Sequence, residues 1–142
     1  MFISARHIMR KKISVGTDTN VKDAAHKFIS TGKPGLPVVD ENMEVIGIVT
    51  EFNVLGAMRE GLDLEKITVL RIMSTSPTIA DMNTSCNDVI EMLLLNNFTI
   101  IPIVSNKKYV GMVSRHTIMD AYLSPRYTNF ASQERVLPFT CI

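Results

Sequence analysis

Two stretches of this chain bring hydroxyl and other polar side chains together at strand-to-helix junctions: Gly47-Ile48-Val49-Thr50-Glu51-Phe52-Asn53 and Gly111-Met112-Val113-Ser114-Arg115-His116-Thr117. In each, an apolar run ends in Thr or Ser, and a second hydrogen-bonding side chain follows three positions later. A Ser or Thr there is a favoured helix N-cap, because its oxygen accepts from an orphan backbone N–H. The free N–H groups of a first helical turn also attract phosphate. Arg115 adds a guanidinium able to meet phosphate oxygens, with His116 beside it, whereas Glu51 in the matching place repels phosphate. The plainer use of Thr50 and Ser114 is capping, and Gly47 and Gly111 then mark close strand packing.

The rest of the sequence narrows the chemistry. No Ser/His/Asp or Cys/His arrangement, paired carboxylates at a strand end, phosphate loop or Gly-x-Gly-x-x-Gly motif occurs, so the expectation is a protein that is not an enzyme. Cys86, Cys141 and three scattered histidines (His7, His26, His116) show no metal-ligand spacing. A net charge of +1 argues against a broad nucleic-acid or membrane surface, and the run Arg10-Lys11-Lys12 reads as a solvated segment. There is no signal-peptide pattern and no bilayer-length apolar run, which makes cytoplasmic the default expectation.

The elements that must position these residues appear twice. Val21, Ala24, Ala25, Phe28 and Ile29 form an apolar helical stripe, and Cys86, Val89, Ile90, Leu93 and Leu94 repeat its spacing 65 positions later (86 − 21). Helices are expected over residues 20–31 and 85–97, with Cys86 a small core residue. Gly35-Leu36-Pro37-Val38-Val39 aligns with Ile100-Ile101-Pro102-Ile103-Val104, and each run leads through a polar turn into the strand that carries Gly47 or Gly111. Ile8-Met9 and Ile72-Met73 precede short strands expected at Ile13-Ser14-Val15 and Pro77-Thr78-Ile79. Each half reads strand, helix, strand, strand, helix, and neither buries much core alone. The divisions are residues 1–66, 67–125 and a tail 126–142. The joining segment Gly61 to Lys66 is short and polar.

The repeat length, the order of elements and the doubled Gly-hydrophobic-hydrophobic-[Ser/Thr]-x-x-[Asp/Asn] signature with its Ile-Met lead-in resemble the CBS domain family over about residues 3 to 123. The resemblance implies an α/β (α+β) fold in which two β-α-β-β-α repeats, related by a pseudo-twofold axis, pack sheet against sheet as a Bateman module. It also implies homodimers and two clefts for AMP, ADP, ATP or another adenosyl ligand such as S-adenosylmethionine or NAD.

In such clefts the hydroxyl residue meets ribose-phosphate and the acidic residue three positions on binds the ribose hydroxyls. Carried onto this chain, the first site is Thr50 with Asn53, and adenine lies against Ser14, Leu36 and Pro37, with Gly35 allowing close approach. The second is Ser114, Arg115 and Thr117, with Thr78, Ile101 and Pro102. Asn53 stands where the family has Asp and is expected to accept from a ribose hydroxyl through its amide oxygen, without charge assistance. Thr117 is a shorter, weaker partner, and Ile100 is bulkier than Gly35. The first cleft is therefore the favoured one, with Arg115 brought toward its phosphates by the pseudo-twofold.

The function implied is a regulatory module that senses an adenosine-containing metabolite, acting on a partner protein in trans or as a piece of a longer protein. The alternative is a structural dimerisation module with empty clefts. Apolar residues on the helices around 51–60 and 115–123 (Phe52, Leu55, Met58, Ile118, Met119, Tyr122) favour homodimers. Pro125 stops the last helix, and Tyr127, Phe130, Val136, Leu137 and Phe139 make the tail apolar enough to dock.

Overall fold

A computed structural model describes residues 3–10, 12–96 and 98–123. Lys11, Asn97 at the expected end of the second helix, and the tail from residue 124 lie outside them. The elements run α1 (Ala5–Ile8), β1 (Val15–Gly16), α2 (Val21–Thr31), β2 (Gly35–Val39), β3 (Val45–Thr50), α3 (Glu51–Arg59), a 3-10 turn (Val69–Arg71), β4 (Ala80–Asp81), α4 (Cys86–Asn96), β5 (Ile100–Ser105), β6 (Lys108–Ser114) and α5 (Arg115–Leu123). The mixed α/β class and the duplicated strand-helix-strand-strand-helix order are as expected. Among the described residues no helix is long and apolar enough to cross a membrane.

Each half builds one three-stranded sheet, ordered β1-β2-β3 and β4-β5-β6. The first strand runs parallel to the second, Val15 opposite Val38 and Ala80 opposite Ile103, so the two sheets repeat at 65 residues. β2 and β3 pair antiparallel, Pro37 opposite Ile48, with an irregularity at Val38/Val39. Asp40 Oδ1 organises the turn between them by accepting from the Asn42 and Glu44 backbone N–H groups. The shorter second turn closes through Asn106 and Lys107, both at positive φ (50° and 68°), the geometry of a two-residue hairpin.

The leading strands start later than expected. β1 begins at Val15 and β4 at Ala80, in place of Ile13 and Pro77. In the first half the cause is visible: the Ile13 carbonyl accepts from the Tyr109 hydroxyl at 2.9 Å and the Ser14 carbonyl from Lys27 Nζ at 2.7 Å. Side chains satisfy these carbonyls in place of a ladder. In the second half Pro77 has no N–H to donate. A consequence is that Ser14 corresponds in strand register to Ile79, not Thr78.

Asn20 caps α2 through the Asp23 N–H, and Gly32, at φ 70°, ends it in the left-handed conformation. Val21, Ala24 and Phe28 of the α2 stripe are buried, while Ile29 is 82% exposed. On α4, Cys86, Val89 and Leu93 are buried and Leu94 is 71% exposed. The five-residue stripe is thus wider than the face each sheet covers, and its outer edge stays in solvent.

The chain forms two compact units that do not follow sequence order. Of the described residues, one comprises 13–77 with 106–109; the other comprises those of 3–12, 78–105 and 110–123. The Ile-Met lead-ins explain the exchange. Met9-Arg10 crosses β6, with Arg10 N–H donating to the Met112 carbonyl at 3.0 Å. Met73-Ser74 crosses β3, where Ser74 and Ile48 exchange backbone hydrogen bonds of 2.8 and 3.1 Å. Gly47 and Gly111 sit beneath these crossings. A Cβ on Gly47 would lie 2.6 Å from both Met73 Sδ and the Ser74 carbonyl oxygen, and one on Gly111 2.9 Å from Met9 Sδ and the Arg10 carbonyl oxygen. Both glycines are there because backbone passes too close for any side chain.

Candidate functional site

The first set of expected residues lies within the 13–77 unit and converges at one end of its sheet. Gly35 pairs with Thr50 across the hairpin, and Pro37 with Ile48. Because Val15 is opposite Val38, the residue before it, Ser14, is level with Pro37. Side chains alternate along a strand, so Leu36, fully buried in a core with Val38 and Val49, points to the face opposite Gly35 and Pro37. Leu36 thus offers a ligand its backbone and not its side chain.

Thr50 caps α3. Its N–H donates to Asn53 Oδ1 at 2.8 Å and its hydroxyl to the same oxygen at 3.0 Å, while the Asn53 N–H donates back to Thr50 Oγ1 at 3.3 Å. This reciprocal cap satisfies two orphan donors at once. It also corrects the expected chemistry of Asn53. An amide oxygen has two lone pairs, and Thr50 uses both, so this oxygen is not the acceptor for a ribose hydroxyl. The group left for a ligand is the Nδ2 donor of the half-buried Asn53. The helix start is also less open to phosphate than expected, because the Glu51 N–H donates to the Pro34 carbonyl at 3.1 Å.

The second set lies in the other unit and is more closed. Ser114 N–H donates to Thr117 Oγ1 at 2.8 Å, Thr117 Oγ1 to the Ser114 carbonyl at 3.0 Å, and Thr117 N–H to Ser114 Oγ at 3.2 Å. Ser114 is 5% and Thr117 3% exposed. Two buried hydroxyls, each bonded to the other residue's backbone, present little to solvent. Ile101 is fully buried within its unit's core, on the face opposite Ile100 and Pro102, and Thr78, level with it, is half-buried. Arg115 and His116 are exposed.

One feature the sequence did not point to is a polar cavity of about 270 Å³ in the 13–77 unit, lined by Phe52, Asn53, Gly56 and Ala57 of α3, by Glu60 at its C-cap, and by Leu62, Arg71 and Ile72 beyond it. Asn53, Gly56, Ala57 and Glu60 follow i, i+3, i+4, i+7, a spacing visible in the sequence as one helix face. Arg71 comes from the following 3-10 turn, which only the fold brings alongside. Among the described residues no group of three or more His, Cys, Asp or Glu is placed to hold a metal ion.

Comparison with known proteins places this arrangement. The CBS domain model matches twice, at residues 5–60 and 69–124. CBSX2, a chloroplastic CBS domain-containing protein of Arabidopsis thaliana, is 23% identical over 137 residues, covering 77% of this chain and 58% of its own. The crystal structure of CBSX2 in complex with AMP superposes with a TM-score of 0.75 at 26% identity, covering 85% of this chain and 96% of that one. The AcuB protein of Vibrio cholerae gives a TM-score of 0.82 at 17% identity over 97% of this chain and all of the other. Protein MJ1225 of Methanocaldococcus jannaschii is 24% identical over 110 residues, 77% of this chain but 39% of that protein. The chain thus spans less than two thirds of the full-length relatives MJ1225 and CBSX2. With the doubled model match covering most of the sequence, and each sheet carrying the same hairpin and helix-capping junction, the chain belongs to the CBS domain family as a tandem pair of repeats.

Proposed function

We propose that this chain is a regulatory, non-catalytic module that binds an adenosine-containing metabolite at the first site. One observation carries the reading: Ser14, Gly35, Pro37, Thr50 and Asn53, far apart in sequence, meet at one end of one sheet, and Asn53 there keeps a donor uncommitted. Adenine lies on the Gly35 and Pro37 face, and the ribose oxygen accepts from Asn53 Nδ2. The AMP bound by CBSX2 supports this class of ligand. Binding rests on neutral hydrogen bonds of about 0.5–1.5 kcal/mol each, so an affinity near or weaker than roughly 1 μM, about −8 kcal/mol, is expected. Ser114 and Thr117 bury their own polar atoms, so the second site contributes little. Calorimetry with AMP, ADP, ATP and S-adenosylmethionine tests the reading. Absence of heat and of any thermal shift at millimolar ligand sinks it, since a ligand specific to the folded state must raise the melting temperature.

A second reading, a dimerisation module acting through a partner protein in trans, is favoured by exposed apolar side chains. Phe52, Leu55 and Met58 on α3 are 81%, 58% and 56% exposed, and Leu55 and Met58 line an apolar groove of about 230 Å³ with Phe28 and Ile29. Met119 and Tyr122 on α5 are exposed as expected, whereas Ile118 is buried in the core of its unit and unavailable to a partner. A second copy of this chain is the partner such faces fit, and the two readings are compatible.

A further inference from the structure

A methionine sulfur closes the packing at each backbone crossing. Met73 Sδ lies 2.6 Å from where a Cβ on Gly47 would sit, and Met9 Sδ 2.9 Å from the same point on Gly111. Each sulfur thus fills space that a side chain would have taken, and glycine has nothing of its own to fill it with. Both methionines are half-buried: packed against the core of their own unit, yet partly open to solvent.

Met73 stands where a disturbance reaches the first site. Its N–H donates to the Val69 carbonyl at 2.9 Å, as the Ile72 N–H does at 3.1 Å, which ties it to the 3-10 turn that carries Arg71. Arg71 and Ile72 line the cavity beside Asn53. On the other side, the Ser74 backbone is bonded to Ile48, the residue opposite Pro37. One short segment, residues 69–74, therefore links the Met73 thioether both to the cavity wall and to the strand behind the adenine face. Met9 lacks this placement: its crossing meets β6 at Met112, ahead of the self-capped Ser114–Thr117 junction.

We propose that Met73 is an oxidative modification site that regulates the first site, with a peroxide as the oxidant. The sulfur lone pair attacks one oxygen of hydrogen peroxide, and an S–O bond forms as the O–O bond breaks. The departing hydroxide takes the proton of the new S–OH group and leaves as water. The sulfur is oxidised by two electrons and the peroxide is reduced by two. The sulfoxide is polar and chiral where the thioether was apolar. It turns toward water, and Gly47 cannot close the gap it leaves. The crossing on β3 loosens, the Arg71 and Ile72 wall moves with it, and ligand affinity falls. The regulation rests on the adenosine reading above; the loosening of the crossing does not.

Hydrogen peroxide treatment of the whole chain tests the proposal, with peptide mass spectrometry reading the oxygen added at each methionine. Complete oxidation of Met73 should lower the ligand-free melting temperature by roughly 3–8 °C, the loss of part of one methionine's packing in a chain near this size. AMP affinity in calorimetry should fall about fivefold or more, the lower end of coupling between linked sites. Methionine sulfoxide reductase should restore both. Met73→Leu keeps a similar apolar volume and has no sulfur, so it should show neither loss after the same treatment. Met9→Leu should still lose AMP affinity. Met58 and Met119 are exposed and oxidise in all of these proteins, so an effect acting through them would survive in Met73→Leu. Three results overturn the proposal: Met73 left as a thioether when Met58 and Met119 are fully oxidised, Met73 sulfoxide with unchanged AMP affinity, or a Met73→Leu protein as sensitive as wild type. Absence of AMP binding before treatment overturns the adenosine reading and the regulation with it, while a melting-temperature fall confined to proteins that keep Met73 still upholds the modification site.

Discussion

Replacing Gly47 with alanine tests the packing logic of the fold most directly. The added Cβ would sit 2.6 Å from the Ser74 carbonyl oxygen and from Met73 Sδ. The thioether can swing away, but the carbonyl cannot: the Ile48 N–H holds it at 3.1 Å, and the Ser74 N–H is held in turn by the Ile48 carbonyl at 2.8 Å. Either β3 shifts or the crossing opens. Overpacking of this kind costs about 1–3 kcal/mol. Opening the crossing removes two backbone hydrogen bonds of about 1 kcal/mol each. The lower chain entropy of unfolded alanine offsets about 0.4–1 kcal/mol. A net loss of about 2–3 kcal/mol is expected, and at roughly 2–4 °C per kcal/mol for a chain near this size the melting temperature falls by about 5–10 °C. Gly56→Ala is the matched control. Gly56 lies inside α3 with nothing within 4 Å of its Cβ position, so alanine there should stabilise by about 0.5–1 kcal/mol. Urea unfolding followed by circular dichroism reads both as midpoint shifts at constant slope. A Gly47→Ala protein within about 0.5 kcal/mol of wild type, or one less affected than Gly56→Ala, refutes the reasoning.

Other consequences follow from the same geometry. Asn53→Ala should weaken adenosyl binding more than Thr117→Ala does in calorimetry, and the reverse order would place the ligand at the second site. Thr117→Ala should instead cost about 1–3 kcal/mol of stability in urea, because the buried Ser114 N–H loses its acceptor. Burial pushes the Tyr109 hydroxyl up to about 12. Its folded value is raised, so its contribution is complete below about pH 10 and lost as pH climbs toward 12; Tyr109→Phe should flatten that fall, and an unchanged alkaline profile would contradict it. Light scattering should give a dimer mass, and Leu55→Glu should shift it toward monomer; a monomeric wild type at high concentration removes the dimer.

Much of this protein was legible in its sequence because the signals are local and occur twice. The helical stripes beginning at Val21 and Cys86 place α2 and α4, and Thr50 and Ser114 mark the starts of α3 and α5, since periodicity and capping depend only on neighbours a turn away. The doubled motif also identifies the family. Tertiary structure decided how far those signals reach. It left Ile29 and Leu94 in solvent because each sheet is narrower than the stripe laid on it, and it moved the start of β1 because Tyr109 and Lys27 claim carbonyls that a ladder would have used. It turned the Asn53 oxygen inward to Thr50 and left the amide nitrogen as the outward group, a choice between two ends of one side chain that composition cannot express. It exchanged the lead-in segments between the two compact units, so that Gly47 is constrained by Ser74 and Gly111 by Arg10. Residues from separate elements come to share one cavity or one crossing only when the backbone has closed, and that is why Arg71 beside Asn53 had no trace in the sequence.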